Sequence, residues 1–176
     1  MQTRMIGSVP VDCVTGLAGG VPTRVTFRGE TADFRWPLRD LDGEFPTDWS
    51  PYQYLVLEMR PSSPQRFYLR VHTADGLRAL RLQPFGQGAW LRATLPLRFF
   101  LGPDQFGHDL ASANNRPRRS FWFATSGPFG GLDAVQAIEL RMEYPIGEPT
   151  LEVRLVGLAK EDPGSEILAP MPVIDR

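Results

Sequence analysis

The region from Tyr52 to Leu97 most constrains the fold, because four short segments in it alternate apolar and polar residues. The segments are YQYLVLEMR, RFYLRVHTA, LRALRLQPF and AWLRATLPL, and they are separated by turns rich in Pro, Ser or Gly. A period of two sends successive side chains to opposite faces of a sheet, so each segment predicts a strand with one apolar face. Strands repeated at a spacing of about ten residues, with turn signals between them, are typical of a β-sandwich.

Further segments of the same kind lie on both sides of this region. The predicted strands are Ile6–Val14, Thr23–Phe27, Ala32–Leu38, Ser120–Thr125, Val135–Tyr144 and Thr150–Leu158. Pro37 places its strand at a sheet edge, because proline cannot donate a ladder hydrogen bond. The 17 Gly and 17 Pro residues interrupt almost every window of helical length, and only Asp109–Ala113 is predicted as a helical turn. About nine or ten strands in one domain predict an all-β fold, a two-sheet jelly-roll β-sandwich.

The chain length and the composition of the C-terminal segment predict the domain organisation. Residues 1–160 are predicted to form a single β-sandwich domain, which is large enough to bury a core without disulfides. Residues 161–176 contain three prolines and are predicted to form an extended linker. Cys13 is the only cysteine, so an internal disulfide is excluded.

Charge and hydropathy exclude several classes of partner. The net charge is −1, with 19 basic and 20 acidic residues, which is not the basic surplus of a protein that binds nucleic acid. No apolar run is long enough to span a membrane or to form the centre of a signal peptide, so neither is expected. Lys160 is the only lysine, and we ascribe the arginine bias mainly to genomic composition.

Catalytic signatures are not found in the sequence. It contains neither GxSxG nor HExxH, and its two histidines are far apart. Glu139 and Glu143 share a strand face, but they are about 13 Å apart at the rise of a strand. Glycosidases need carboxyl groups about 5–9.5 Å apart, so the chain is predicted to be non-enzymatic. A lyase reaction stays open as an alternative, because Tyr68, Arg70 and His72 supply the residue types that it needs.

Several strings in the sequence resemble those of a known family. DWSPYQYLVLEMR, FYLRVHTADG and GAWLRATLPL look like the carbohydrate-binding jelly rolls attached to polysaccharide-degrading enzymes. GHDLASANNRPRRSFWF, FGGLDAVQAIELRMEYPIGEPTLEVRLVGLAKEDPGSEIL and APMPVIDR resemble the N-terminal non-catalytic module of agarase-type glycoside hydrolases (family fifty). The resemblance covers roughly residues 30–176, and its most specific parts are PIGEPTLEVR and LAKEDPG.

The resemblance implies an accessory module with two partners. One is a polysaccharide, agarose or a related galactan, and the other is the catalytic glycoside hydrolase domain of the same parent chain. In the family, a segment like PMPVIDR leads into the catalytic (β/α) barrel, and the paired catalytic carboxylates on the barrel strands are expected outside this chain. The parent enzyme is expected to be extracellular or periplasmic.

Sugar sites combine aromatic rings, which stack on pyranose faces, with polar groups that bond the hydroxyls. The candidates predicted to share one outward sheet face are Tyr68, Arg70, His72, Trp122 and Arg141. A solvated face with cross-strand Arg–Glu pairs explains the same pattern. Two functions therefore stay open: a carbohydrate-binding module, and a structural docking module that packs on a catalytic barrel and has no sugar site of its own.

Two tryptophans flank the Asp-rich loop that follows the third predicted strand, Ala32–Leu38, and four acidic residues lie within it. Trp36 and Trp49 are predicted to plug the end of the sandwich, and a sugar site among the loops is the alternative. The acidic residues offer oxygen ligands to a structural Ca²⁺, although their spacing does not match an EF-hand: Asp40, Asp42, Glu44 and Asp48. Turn hydrogen bonds explain them equally well, so no metal ligand is assigned and no cofactor is expected.

Overall fold

The computed structural model describes residues 4–6, 9–11, 13–16, 22–41, 45–102, 121–164 and 166–167. The strands in these ranges are β1 (Arg4–Ile6), β2 (Val9–Val11), β3 (Cys13–Gly16), β4 (Thr23–Thr26), β5 (Thr31–Pro37), β6 (Tyr54–Pro61), β7 (Phe67–Thr73), β8 (Gly76–Pro84), β9 (Leu91–Pro96), β10 (Phe121–Thr125), β11 (Val135–Glu143), β12 (Thr150–Ala159) and β13 (Glu166–Ile167). A one-turn helix, α1 (Arg98–Leu101), follows β9, and a 3₁₀ turn spans Leu38–Asp40.

Helical structure is limited to these short turns in the part of the chain that the structure describes. The sequence predicts no helical turn at the residues of α1, so this turn is a difference from the prediction. The predicted helical turn at Asp109–Ala113 lies outside the described residues. None of the helices within the described ranges is long and apolar enough to cross a membrane.

The described strands form two large antiparallel sheets, and β1 and β2 pair in a separate two-stranded antiparallel sheet. The order in the five-stranded sheet is β10-β8-β7-β11-β5, and the order in the six-stranded sheet is β13-β9-β6-β12-β3, with β4 also paired to β12. If β10, β13 and β3 are left out, the strand orders of the two sheets are β5-β11-β7-β8 and β4-β12-β6-β9. Nearly every connection between consecutive strands then crosses from one sheet to the other, as in a jelly roll. The predicted all-β jelly-roll sandwich is confirmed, and β5 lies at a sheet edge as Pro37 predicts.

The core fills the space between the two sheets. In β7, Phe67, Leu69 and Val71 are buried, and the residues that alternate with them are half-buried on the opposite face. Burying an apolar side chain of this size contributes about 1.5–3 kcal/mol. Trp36 and Trp49 also belong to the core, so their predicted role as plugs is confirmed.

The alternation predicted for β12 is wrong after Val153. Its register against β6 shifts between Val153 and Leu155, and one extra residue reverses the face of every side chain that follows. Val156 therefore joins the main core, whereas Leu155 packs with Val56 on the far side of the sheet.

Part of the far side of the six-stranded sheet is buried as well. Val56 and Glu58, which alternation predicts to be outward and exposed, are almost completely covered. Arg92 is also buried in this sheet, where its Nη1 donates a hydrogen bond of 3.3 Å to the carbonyl oxygen of Pro163. Strand β13 then pairs with β9. Part of the segment after residue 160 thus lies along the sheet, and a domain boundary at residue 160 stays a prediction.

Candidate functional site

The five candidate residues lie on the outward face of the five-stranded sheet. Tyr68 stands in register with Arg81 on β8 and with Arg141 on β11, so these three side chains form a row across three strands. Arg70 and His72 follow on β7 at successive outward positions. Trp122 lies on β10, two strands from β7, and its neighbours Phe121 and Phe123 point into the core. Their binding of sugar stays a prediction.

Three of the candidates line a pocket of about 270 Å³ on this face. The lining residues are Tyr68, Arg70, Leu77, Ala79, Gly127, Pro128, Arg141 and Glu143. The pocket therefore offers a phenol ring, two guanidinium groups and a carboxylate around a small apolar surface. Arg141 Nε is 3.6 Å from Glu143 Oε1, and both side chains are partly exposed, so this ion pair is weak and open to a ligand.

Sequence reasoning missed the wall of the pocket that comes from the loop after β10. Gly127 and Pro128 form this wall. Gly127 has a φ of 61°, and a Cβ atom there would come within 2.9 Å of the Phe129 ring. A side chain at this position is therefore strained and crowded, which makes glycine a requirement of the loop. No strand periodicity carries such information, since the residues belong to a loop.

Trp122 and His72 are not among the residues that line the pocket. The Cζ atoms of Arg66 and Arg81 lie 4.5 Å and 5.9 Å from the centroid of the Trp122 ring. These are cation–π distances, so guanidinium groups already occupy part of the ring surface. The Tyr–Arg–His constellation that a lyase would need is not assembled in this pocket, because His72 lies beside Glu139 instead.

A buried carboxylate, Glu139, holds Arg70, one of the two arginines of the pocket, in place. Its Oε1 is 2.8 Å from Arg70 Nη1 without the alignment of a hydrogen bond, so the contact is an ion pair. Its Oε2 is 3.4 Å from His72 Nε2, and Arg35 stands opposite it on β5. The sequence pattern of cross-strand Arg–Glu pairs indicates such contacts, but it does not show that they support a pocket residue.

Acid is expected to destabilise the fold through His72. Burial and the charge of Arg35 lower its pKa from the ordinary value of 6.5, and the opposing effect of Glu139 is smaller. Between the lowered folded-state pKa and about 6.5, the unfolded chain binds more protons, so stability falls as pH falls through this window. Thermal unfolding at about pH 8 and about pH 5 should show a larger loss of Tm in the wild type than in His72→Gln. An equal loss of Tm in the wild type and in His72→Gln would show that His72 is not the origin of the acid sensitivity.

The metal alternative falls partly outside the described residues, because Asp42 and Glu44 are not among them. Asp48 forms a turn instead: its Oδ1 accepts hydrogen bonds from the backbone N of Ser50 at 2.9 Å and from its hydroxyl at 2.6 Å. These bonds lower the pKa of Asp48. Within the described ranges, no group of three or more His, Cys, Asp or Glu residues could hold a metal ion.

The described structure thus defines a jelly-roll β-sandwich with an aromatic and arginine-lined pocket on one sheet. No protein-family model matches the chain, and no curated protein matches it. The solved structure of PfGH50B has a TM-score of 0.56 at 15% identity, over 92% of this chain and 22% of that chain. An exo-beta-agarase has a TM-score of 0.54 at 16% identity, over 93% of this chain and 24% of that chain.

These likenesses show a shared fold. The chain spans less than a quarter of the length of either solved protein. A similar fold therefore occurs as one part of a much larger exo-beta-agarase chain.

Proposed function

We propose that this chain is a non-catalytic carbohydrate-binding module of a larger glycoside hydrolase, with agarose or a related galactan as its ligand. The observation that carries the proposal is the pocket in which Tyr68, Arg70 and Arg141 converge. A phenol ring offers a flat surface to the apolar face of a sugar, and guanidinium groups donate forked hydrogen bonds to hydroxyls. The fold shared with part of an exo-beta-agarase supports it.

In this proposal the chain contributes binding and its parent contributes chemistry. The chain corresponds to the N-terminal module that precedes a catalytic barrel, and the parent enzyme acts outside the cell or in the periplasm. Covalent linkage to a catalytic domain that is bound to the polymer keeps the pocket near the polymer, at an effective concentration in the millimolar range. Weak contacts between the pocket and the sugar are therefore sufficient. An open pocket of modest volume suits this mode of binding.

Replacement of Tyr68 tests the pocket directly. The wild type should be retarded in an agarose affinity gel, and less so in carrageenan and xylan gels. Tyr68→Ala removes the stacking surface, and the dissociation constant of the variant should be about thirtyfold higher, the effect of losing about 2 kcal/mol at a residue that dominates an interface. The phenol side chain is half-buried on the solvent side of the sheet, so thermal unfolding should change little.

Trp122→Ala serves as the matched aromatic control. Because arginines already cover part of this ring, the variant should lose less affinity than Tyr68→Ala. Equal retardation of the wild type and Tyr68→Ala in agarose would exclude the pocket as the binding site.

One observation favours the structural docking module as the second candidate. Ile146 and Tyr144 are 82% and 75% exposed, although both are large apolar residues. The side-chain amide of Gln65 braces their loop: it accepts from the Ile146 backbone N at 2.8 Å and donates to its carbonyl oxygen at 2.9 Å. A braced apolar projection suits contact with a neighbouring domain. Unretarded migration of the wild type in all three gels would favour this function.

A further inference from the structure

A buried arginine lies directly beside the pocket on the five-stranded sheet. Arg78 on β8 is 6% exposed, and it is in register with Val71, whose side chain belongs to the core. Its two neighbours on β8, Leu77 and Ala79, point to the other face of the sheet and line the pocket. Arginine is always charged and is almost never fully buried unless it is paired, so the buried guanidinium needs partners at this end of the sheet.

We propose that Arg78 is a positioning residue of this pocket. Its guanidinium holds the loop that contains Gly127 and Pro128, so that one wall of the pocket is formed before the sugar arrives. Arg78 is not among the residues that line the pocket, and it therefore acts through the loop. The inference rests on the proposed function for the ligand.

The sheet leaves a place for this loop beside β8. Strand β10 ends at Thr125, which is in register with Leu80 of β8. The residues of β8 that precede Leu80 are therefore not paired with β10. The loop after β10 lies beside them, because its residues share the pocket with Leu77 and Ala79.

The guanidinium of Arg78 lies directly against Gly130 of this loop. A Cβ atom at Gly130 would be only 2.5 Å from Arg78 Nε, which is closer than non-bonded atoms approach, so this contact requires glycine. Gly130 N also donates a hydrogen bond of 3.0 Å to the carbonyl oxygen of Phe100 in α1. The loop is therefore held between β8 and α1, two residues after Pro128.

Hydrogen bonds fix the guanidinium in turn. Arg78 Nη2 donates to Asp75 Oδ1 at 3.0 Å, and Nη1 donates to the carbonyl oxygen of Leu77 at 3.1 Å. Asp75 Oδ1 also accepts a hydrogen bond of 2.7 Å from the Thr73 hydroxyl. The Thr73 bond and the charge of Arg78 lower the pKa of Asp75, which keeps this carboxylate charged. Arg78 is thus a rigid support for the loop.

Arg78→Met tests the effect of this support on sugar binding. Methionine keeps a long unbranched side chain and removes the guanidinium. If the loop then occupies its pocket-forming position for about a tenth of the time, the apparent Kd for agarose rises about tenfold. Affinity electrophoresis in agarose gels measures this change.

Hydrogen exchange measures the loop without any sugar. The amide of Gly130 should exchange about tenfold faster in Arg78→Met than in the wild type, because its bond to Phe100 opens with the loop. The amide of Leu69, at the centre of β7, should accelerate less, since it reports opening of the whole sheet. Equal acceleration of the two amides would overturn a role that is specific to the loop.

Arg92→Met is the matched control. Arg92 is another buried arginine, 5% exposed, but it lies on the six-stranded sheet and donates a hydrogen bond to the carbonyl oxygen of Pro163. Its replacement removes the same group from a similar depth, so any general loss of stability is shared by the two variants. The agarose affinity of Arg92→Met should equal that of the wild type. A tenfold loss in this variant as well would overturn the specific role of Arg78.

Asp75→Ala keeps the inference testable if Arg78→Met does not fold. The side chain of Asp75 is 76% exposed, so its removal leaves the core intact. Loss of one bond that fixes Arg78 should raise the Kd for agarose about threefold and should also speed the exchange of Gly130. In that case, wild-type values of both quantities in Asp75→Ala would overturn the inference.

The outcomes separate this inference from the proposed function. If the wild type and Arg78→Met are retarded equally in agarose, the positioning role is overturned and the proposed function stands. If the wild type is not retarded, the proposed function is overturned, and the role of Arg78 in sugar binding falls with it. The exchange of Gly130 then still decides whether Arg78 holds the loop.

Discussion

Trp49→Ala is expected to lower the free energy of unfolding by about 3–5 kcal/mol, the range for removing a large aromatic side chain from a core. The residue is 0% exposed and packs edge-to-face against Phe45, with the ring centroids 6.1 Å apart. Its Nε1 also donates a 2.9 Å hydrogen bond to the carbonyl oxygen of Pro46. Truncation therefore leaves both a cavity and an unpaired acceptor. Urea unfolding followed by far-UV circular dichroism measures the loss.

Trp122→Ala provides the matched control for this stability measurement. The same side chain is removed, but from a half-buried position on the sheet surface, so the expected loss is below about 1 kcal/mol. Similar losses in Trp49→Ala and Trp122→Ala would contradict the placement of Trp49 in the core.

Glu139→Gln is expected to lower the free energy of unfolding by about 1–3 kcal/mol. Breaking a fully buried ion pair costs about 3–5 kcal/mol, and the loss is smaller here because Arg70 is partly exposed and solvent screens the pair. The amide would leave Arg70 facing Arg35 across β11 without the negative charge between them. The pKa of His72 should also fall further, because Glu139 raises it in the wild type. Urea unfolding and NMR titration of the imidazole measure the two effects.

Glu143→Gln is the control for the charge change on the same strand. Its side chain is 44% exposed and lies 3.6 Å from Arg141, so the expected change in stability is within about 0.5 kcal/mol. If Glu139→Gln and Glu143→Gln had equal effects on stability, Glu139 would not be the centre of a buried cluster.

Alternation in the sequence predicted the sandwich because both faces of most strands follow a period of two. In β7, this pattern separates Phe67, Leu69 and Val71 from Tyr68 and its outward neighbours. All five candidate residues therefore lie on an outward sheet face, as predicted. The pattern does not contain the strand order, since Tyr68 and Arg141 become neighbours only through the pairing of β7 with β11.

Other features depend on contacts that no local pattern encodes. The shift after Val153 appears only when β12 is aligned with β6, so alternation alone places Leu155 on the wrong face. The burial of Glu58 depends on what covers the far side of its sheet. The contact between Arg78 and Gly130 involves a loop, where a period of two carries no information about side-chain direction.

Each sheet takes an inner strand from late in the chain. Strand β11 lies between β5 and β7, and β12 lies between β6 and its partners β3 and β4, so that Thr23 pairs with Val153, 130 positions later. A ribosome adds about 5–20 residues per second, so early strands wait for seconds before their partners emerge. During that interval a nascent chain exposes unpaired strand edges to other nascent chains. Productive synthesis should therefore depend on chaperones that shield the first half of the polypeptide.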